Sequence, residues 1–295
     1  MRFADIGQQL RAYRMESGLR ADEIAARLGV SRAALYRYEK GEVIKLDTIR
    51  RLAELLKISP LSLLGIGVDY FARPIAYLER LRQVEEEADQ ILLVGGACCW
   101  QTATEAFEGA LAEAWTETAD AAPGGDRALA RSGADQALGL VAARRRLYQQ
   151  RRPTILAILS EGALQRMLQE GLAAGLPLPE RTRARCRQAA LAEAENLANL
   201  MESVPIGVQI GLAAGPDPAG AFMVLRGRER AHVVVGPFPP DTAPSTSVGV
   251  ASITAADDAV AVHQRVAEAA WRDALKGAAA AQRVREMIRR MPRSD

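Results

Sequence analysis

Arg32 and Arg37 carry the most specific chemistry in this chain. A guanidinium donates two parallel hydrogen bonds, which suits the O6 and N7 acceptors of guanine and discriminates against a wrong base by roughly 1–3 kcal/mol. Beside them, Ala33 offers a methyl of the kind that meets thymine, and Tyr36 a hydroxyl that can reach a base or a phosphate. Positions 32, 33, 36 and 37 lie off the apolar stripe of Ala34, Leu35 and Tyr38, so on a helix they share an outward face. For each Arg the plainer alternative is a solvated charge or a phosphate contact. Ser31, Lys40 and Lys45 suit phosphate contacts that set register, and Arg20 suits a further phosphate grip.

Two short helical patterns position these residues. Ile24, Ala25 and Leu28 precede Gly29-Val30-Ser31, and Ala34, Leu35 and Tyr38 follow it. A helix end at Gly29 needs positive φ, which glycine supplies without a Cβ clash. Ser31 is a suitable N-cap for the second helix, because its hydroxyl accepts an orphan backbone N–H. Two helices joined by such a turn describe a helix-turn-helix, whose second helix enters the DNA major groove. Helices are expected over about 6–16, 21–28, 32–40 and 47–56, with a further start at Ser59-Pro60, after which Leu61 and Leu64 close a small core.

Residues 8–64 resemble the Cro/CI-type (XRE) helix-turn-helix family. The match runs through Leu10, Arg14, Gly18-Leu19, Glu23-Ile24-Ala25, Leu28 to Ser31, Tyr38 to Gly41, and Leu52-Ala53-Leu56. The resemblance implies that Arg14 and Glu39 form the ion pair tying the first helix to the third. It also implies double-stranded DNA as partner and a homodimer on a near-palindromic site. The sequence departs from the family where helix 2 often opens with a hydroxyl cap and a Gln; here Arg20 and Ala21 stand there. Lys45 likewise stands where helix 4 often has a capping Ser or Thr.

Composition bounds the rest. With 295 residues, 49% of them hydrophobic, the chain can build two domains. Its net charge of +2 excludes a polybasic coat for nucleic acid. Residues 1–66 hold 12 Lys and Arg against 8 Asp and Glu, and the remainder holds 26 against 28. A basic head on a slightly acidic body suits phosphate contact at one end. Cys98, Cys99 and Cys186 make an odd count with an adjacent pair, a poor disulfide framework, and reduced thiols in a bacterial-type cytoplasm are expected. Cys98-Cys99 beside Trp100 suits a redox sensor or, more plainly, a buried apolar run. Two histidines, His232 and His263, make a metal site unexpected, and no cofactor is implied. The apolar run 91–100 is too short to span a bilayer, so no membrane association and no leader segment are expected.

Three regions are expected: a head over 1–66, a connector over 67–74, and a body over 75–295. The fold class is an all-α five-helix head followed by a larger α+β domain. In the body, helices are expected over about 75–88, 102–119, 138–150, 161–171, 183–203, 255–275 and 278–290. Strands are expected at 206–212, 221–225, 232–235 and 248–253, with 155–159 a short apolar run and 226–230 a hairpin turn. Glu85-Glu86-Glu87 reads as solvated. Arg144-Arg145-Arg146 reads as a solvated face or partner contact, with DNA contact the sharper alternative. Gly207, Gly211, Gly215 and Gly220 read as strand turns.

Gln101-Thr102, residues 144–150, residues 158–164 and residues 206–210 resemble fragments of an actinobacterial-type group of XRE regulators. The body of that group is similar to phospholipase-D-type folds used without catalysis. Such catalysis needs a His-x-Lys pair. Here Val233-Val234 follow His232, Gln264-Arg265 follow His263, and Lys276 is the body's sole lysine. The body is therefore expected to dimerise and to sense a small molecule, with Trp100, Phe107, Phe222 and Phe238 as pocket candidates whose alternative is ordinary core. Binding of a small partner protein, or an enzyme under a DNA-binding head, are the competing functions.

Overall fold

The computed structural model describes residues 3–64, 67–214, 220–236, 238, 243–244 and 248–291. Gly65, Ile66, Gly215 and the side chain of Leu61 lie outside the described residues.

The head is five helices, α1 (Phe3–Ser17), α2 (Ala21–Leu28), α3 (Arg32–Glu39), α4 (Leu46–Leu56) and α5 (Pro60–Leu63). Leu10, Ile24, Leu35, Leu52 and Leu63 are fully buried at its centre. Gly29 ends α2 at φ 69°, the left-handed cap read from the sequence. Gly7 lets α1 pass close to the end of α3, since a Cβ there would sit 2.6 Å from the carbonyl oxygens of Tyr38 and Glu39.

The body is a mixed α/β domain. Its elements are β1 (Val68–Phe71), α6 (Pro74–Glu87), β2 (Ala88–Val94), a 3-10 turn (Trp100–Thr102), α7 (Glu105–Asp120), α8 (Arg127–Arg151), β3 (Thr154–Ser160), α9 (Glu161–Glu170) and α10 (Glu180–Ser203). There follow β4 (Val208–Ala213), β5 (Phe222–Gly227), β6 (Ala231–Val235), β7 (Ala251–Thr254), α11 (Asp257–Asp273), β8 (Leu275–Lys276) and α12 (Gly277–Arg289). The eight strands form one sheet in the order β1-β7-β6-β5-β2-β3-β4-β8. The β2–β3 and β3–β4 pairs are parallel and the others antiparallel. The main core joins one sheet face to α6, α7, α8, α10 and α12. A smaller cluster of Val94, Ile158, Phe222, Val224 and Val233 joins the other face to α11.

Several segments differ from expectation: α8 begins at Arg127 rather than near 138, and Leu275, read as the end of a helix, opens β8. Residues 68–71, within the span read as a connector, form β1 and pair with β7 in register Val68 to Thr254. Residues 88–94 form β2, the strand between β5 and β3, whose second half, Ile91 to Val94, opens the apolar run of 91–100. A strand covered on both faces loses the alternation that would mark it.

The head and body share a seam. Asp69 of β1 is buried and accepts hydrogen bonds from Gln9 Nε2 at 2.7 Å and the Tyr13 hydroxyl at 2.8 Å, both on α1. Arg80 of α6 meets the same carboxylate at 3.4 Å. Arg11 pairs with the buried Glu79 at 3.2 Å. Glu16 accepts from the backbone amides of Ala72 and Arg73 and so caps the start of α6. Ala12 of α1 is packed into the body's core.

Candidate nucleic-acid interface

Leu35 is fully buried and Ala34 nearly so, while Arg32, Ala33, Tyr36 and Arg37 are exposed on the opposite side of α3. The amphipathic pattern thus turns the four candidate base-reading side chains outward together. Ser31 caps α3, its hydroxyl accepting from the Ala34 amide at 3.1 Å. Tyr36 and Arg32 are linked, Nη2 donating to the phenolic oxygen at 3.1 Å with the guanidinium 5.4 Å from the ring centre. Arg37 pairs with Glu42 at 3.3 Å on the surface. Both contacts are solvent-facing and weak, so the two guanidiniums exchange them readily for a stronger anion.

Arg20, Ser31, Lys40 and Lys45 are also exposed. They border the same helix pair: Arg20 precedes α2, Ser31 and Lys40 flank α3, and Lys45 precedes α4. Neither Arg20 nor Lys45 caps with its side chain, and Glu23 compensates at α2 by accepting from the Arg20 amide at 2.8 Å.

Arg14 and Glu39 form a two-pronged pair, Nε to Oε1 at 2.5 Å and Nη2 to Oε2 at 3.2 Å. Their side chains are only 18% and 7% exposed, so this pair locks α1 to the end of α3 and fixes the pitch of the outward face.

Residues 5–63 match a family model described as a helix-turn-helix domain. No curated protein matches the chain. The helix-turn-helix head therefore rests on sequence likeness and on geometry alike, and it supports DNA binding. The family match ends at residue 63, before the first strand of the body.

In the body, Trp100, Phe107 and Phe238 border one cavity of about 590 Å³. Phe222 touches the same cavity, but its ring stands edge-on to His263 at 4.8 Å in the cluster under α11. Trp100 and Phe107 meet edge to face at 5.5 Å, and Tyr77 lies 5.7 Å from Phe238. Tyr77, Leu78 and Leu81 of α6 form another wall, and Gly95-Gly96 after β2 a third.

Glu85 and Arg144, read as solvated or partner-facing, are buried against each other. Arg144 Nε and Nη2 each reach a Glu85 oxygen at 2.7 Å, and Gln101 donates to Glu85 at 2.9 Å. The next residue, Arg145, pairs with Glu108 at 2.6 Å. Local sequence shows two runs of like charge, whereas the fold spends one residue of each run on the other. The Cys99 thiol is pushed up to about 11, chiefly by burial, so it stays protonated near neutrality. Cys98 and Cys186 are buried as well, which opposes a redox-sensing role for the adjacent pair.

Among the described residues no helix is long and apolar enough to cross a membrane, and no cluster of His, Cys, Asp and Glu could hold a metal ion.

Proposed function

We propose that this chain is a sequence-specific, DNA-binding transcriptional regulator of the Cro/CI type. The observation that carries the reading is the outward face of α3, where Arg32, Ala33, Tyr36 and Arg37 stand together behind the Ser31 cap. The start of such a helix meets base edges, while Arg20, Ser31, Lys40 and Lys45 reach flanking phosphates and set the register. One small head offers limited contact area, so the regulator works as a homodimer on a near-palindromic operator, with heads about one turn of DNA apart.

We infer that the body is of the non-catalytic, phospholipase-D-like type and serves as the sensing and dimerising part, and that the protein acts in the cytoplasm without chemistry of its own. Helix α6 supports a sensing role: Tyr77, Leu78 and Leu81 border the cavity, while Glu79 of the same helix pairs with Arg11 of α1 and Arg80 meets Asp69, the acid that holds Gln9 and Tyr13 of α1. A ligand that favours one setting of α6 over another thereby biases the head.

Binding of the full chain to the DNA upstream of its own coding region, against scrambled DNA at physiological salt, tests the reading. A preference of about a thousandfold, with two chains per site, is the expected result. Equal affinity for both DNAs would overturn it.

A further inference from the structure

The cavity behind α6 has walls specific enough to state what it takes. Its volume of about 590 Å³ falls within the range of small-molecule sites, roughly 300–1,000 Å³. Leu81, Leu93, Leu111 and Met167 give it an apolar lining, and Trp100, Phe107 and Phe238 add ring surface. Such walls reward ring-containing ligands, since aromatic contacts add to simple area burial.

The charges decide the sign of the ligand. Among the described residues that line the cavity, Arg144 is the one buried charge, and Glu85 already matches it through two hydrogen bonds. Arg166 and Glu170, of opposite sign and one helical turn apart on α9, are exposed at the edge. A charged ligand would give up its hydration with no unmatched counter-charge waiting inside, a cost that an uncharged one avoids. The Arg144 guanidinium edge that Glu85 does not engage remains a hydrogen-bond donor for a neutral oxygen.

We propose that this cavity binds an uncharged, largely apolar, ring-containing small molecule, seated against Trp100, Phe107 and Phe238 with a neutral acceptor toward Arg144. The proposal rests on the reading of the body as a small-molecule sensor and names the chemical class it senses.

The test uses the full chain and two dyes with one ring system, neutral N-phenyl-1-naphthylamine and 8-anilinonaphthalene-1-sulfonate, which adds a sulfonate. The neutral dye is expected to saturate at one site per chain and to bind at least about tenfold more tightly than the anionic one, reflecting the desolvation of the sulfonate. Ala97→Trp, which fills the cavity from a loop, is expected to abolish that binding while circular dichroism stays unchanged. If that variant does not fold, Trp100→Phe serves instead. Energy transfer from tryptophan to the neutral dye should fall, while the directly excited dye still reports binding. Anionic binding as tight as neutral, still sensitive to Ala97→Trp, overturns the ligand class and leaves a small-molecule body standing. Failure of both dyes, with operator preference intact, overturns the cavity as a ligand site and leaves the DNA-binding regulator standing. Tryptophan transfer unchanged in Trp100→Phe places the dye elsewhere and overturns the site.

Discussion

The Tyr13 hydroxyl donates to the Asp69 carboxylate at 2.8 Å, tying the first helix of the head to the first strand of the sheet. Arg80 approaches the same carboxylate from the helix that borders the cavity. Head, sheet and cavity wall therefore meet at one buried acid. Burial raises the Tyr13 hydroxyl and keeps it a donor throughout the physiological range.

That acid gives a pH signature. Burial holds the Asp69 carboxyl above the ordinary carboxylate range, against the opposing pull of Arg80 and the hydrogen bonds from Gln9 and Tyr13. The unfolded chain ionises the same group at about 3.9, so it releases the proton first as pH rises. The group's contribution to stability therefore falls with rising pH between the unfolded value and the raised folded one. Asp69→Asn lacks this titration, and its amide can donate to Gln9 Oε1, which has no hydrogen-bond partner. Wild type should lose stability relative to Asp69→Asn as pH rises above about 4 in urea unfolding, until the raised folded value is passed. A difference independent of pH would show that Asp69 titrates normally.

On DNA, Arg37→Ala should cost about 1–3 kcal/mol on the cognate site and far less on random sequence. Lys40→Ala should weaken both alike and flatten the salt dependence by about one unit of slope. Titrations of each variant at several salt concentrations separate the two roles. Equal losses on both DNAs for Arg37→Ala would make it a phosphate contact.

Within the head, Arg14→Ala leaves Glu39 shielded and without its main counter-charge. A loss of about 3 kcal/mol in stability is expected, at the lower end for a broken buried pair because Arg14 is partly exposed. Gly7→Ala should destabilise as well, since the new methyl meets two backbone carbonyls of α3. Thermal unfolding reads both, and a Gly7→Ala protein as stable as wild type would show that α1 can back away from α3.

Deeper in the body, Glu85→Gln strands the charge of Arg144, which is buried at the cavity wall. The expected loss is about 3–5 kcal/mol, measured by denaturant unfolding. A near-neutral effect would mean that the guanidinium finds water or another acceptor through the cavity.

The thiols supply a kinetic check. Burial raises both Cys99 and Cys186, and Cys98 is only 8% exposed. A small alkylating reagent should label the native chain slowly and the unfolded chain completely. Rapid labelling of Cys98 or Cys99 in the native state would restore the redox reading.

Local chemistry explains which parts of this architecture were legible in the sequence. Helices α2 to α4 announce themselves through their apolar stripes, the Gly29 turn and the Ser31 cap, all of which act within a few residues. The hairpin of β5 and β6 is legible for the same reason, its turn being closed by the Gly227 amide on the Arg230 carbonyl. Strand β2 is hidden because both of its faces are covered. Glu85 and Arg144 are misread because their partners lie 59 positions apart, beyond the reach of any local pattern. All four aromatic pocket candidates border one cavity, although the alternation of β5 packs Met223 against the main core and Phe222 into the cluster under α11. Tyr77 and the Gly95-Gly96 wall carried one weak signal, the glycine pair ending an apolar run.

The pairing of β1 with β7 has a consequence for how the chain is born. Gly67 and Thr254, which meet across that pairing, lie 187 positions apart. A growing chain leaves the ribosome head first, at about 5–20 residues per second, so the helices of the head are complete well before the strand that clamps them to the sheet exists. For that interval the nascent protein carries a finished DNA-reading surface on an unfinished body. The β1–β7 pairing is thus a late closure, whereas the seam at Asp69, whose partners Gln9, Tyr13 and Arg80 all lie early in the chain, can form while most of the sheet is still missing.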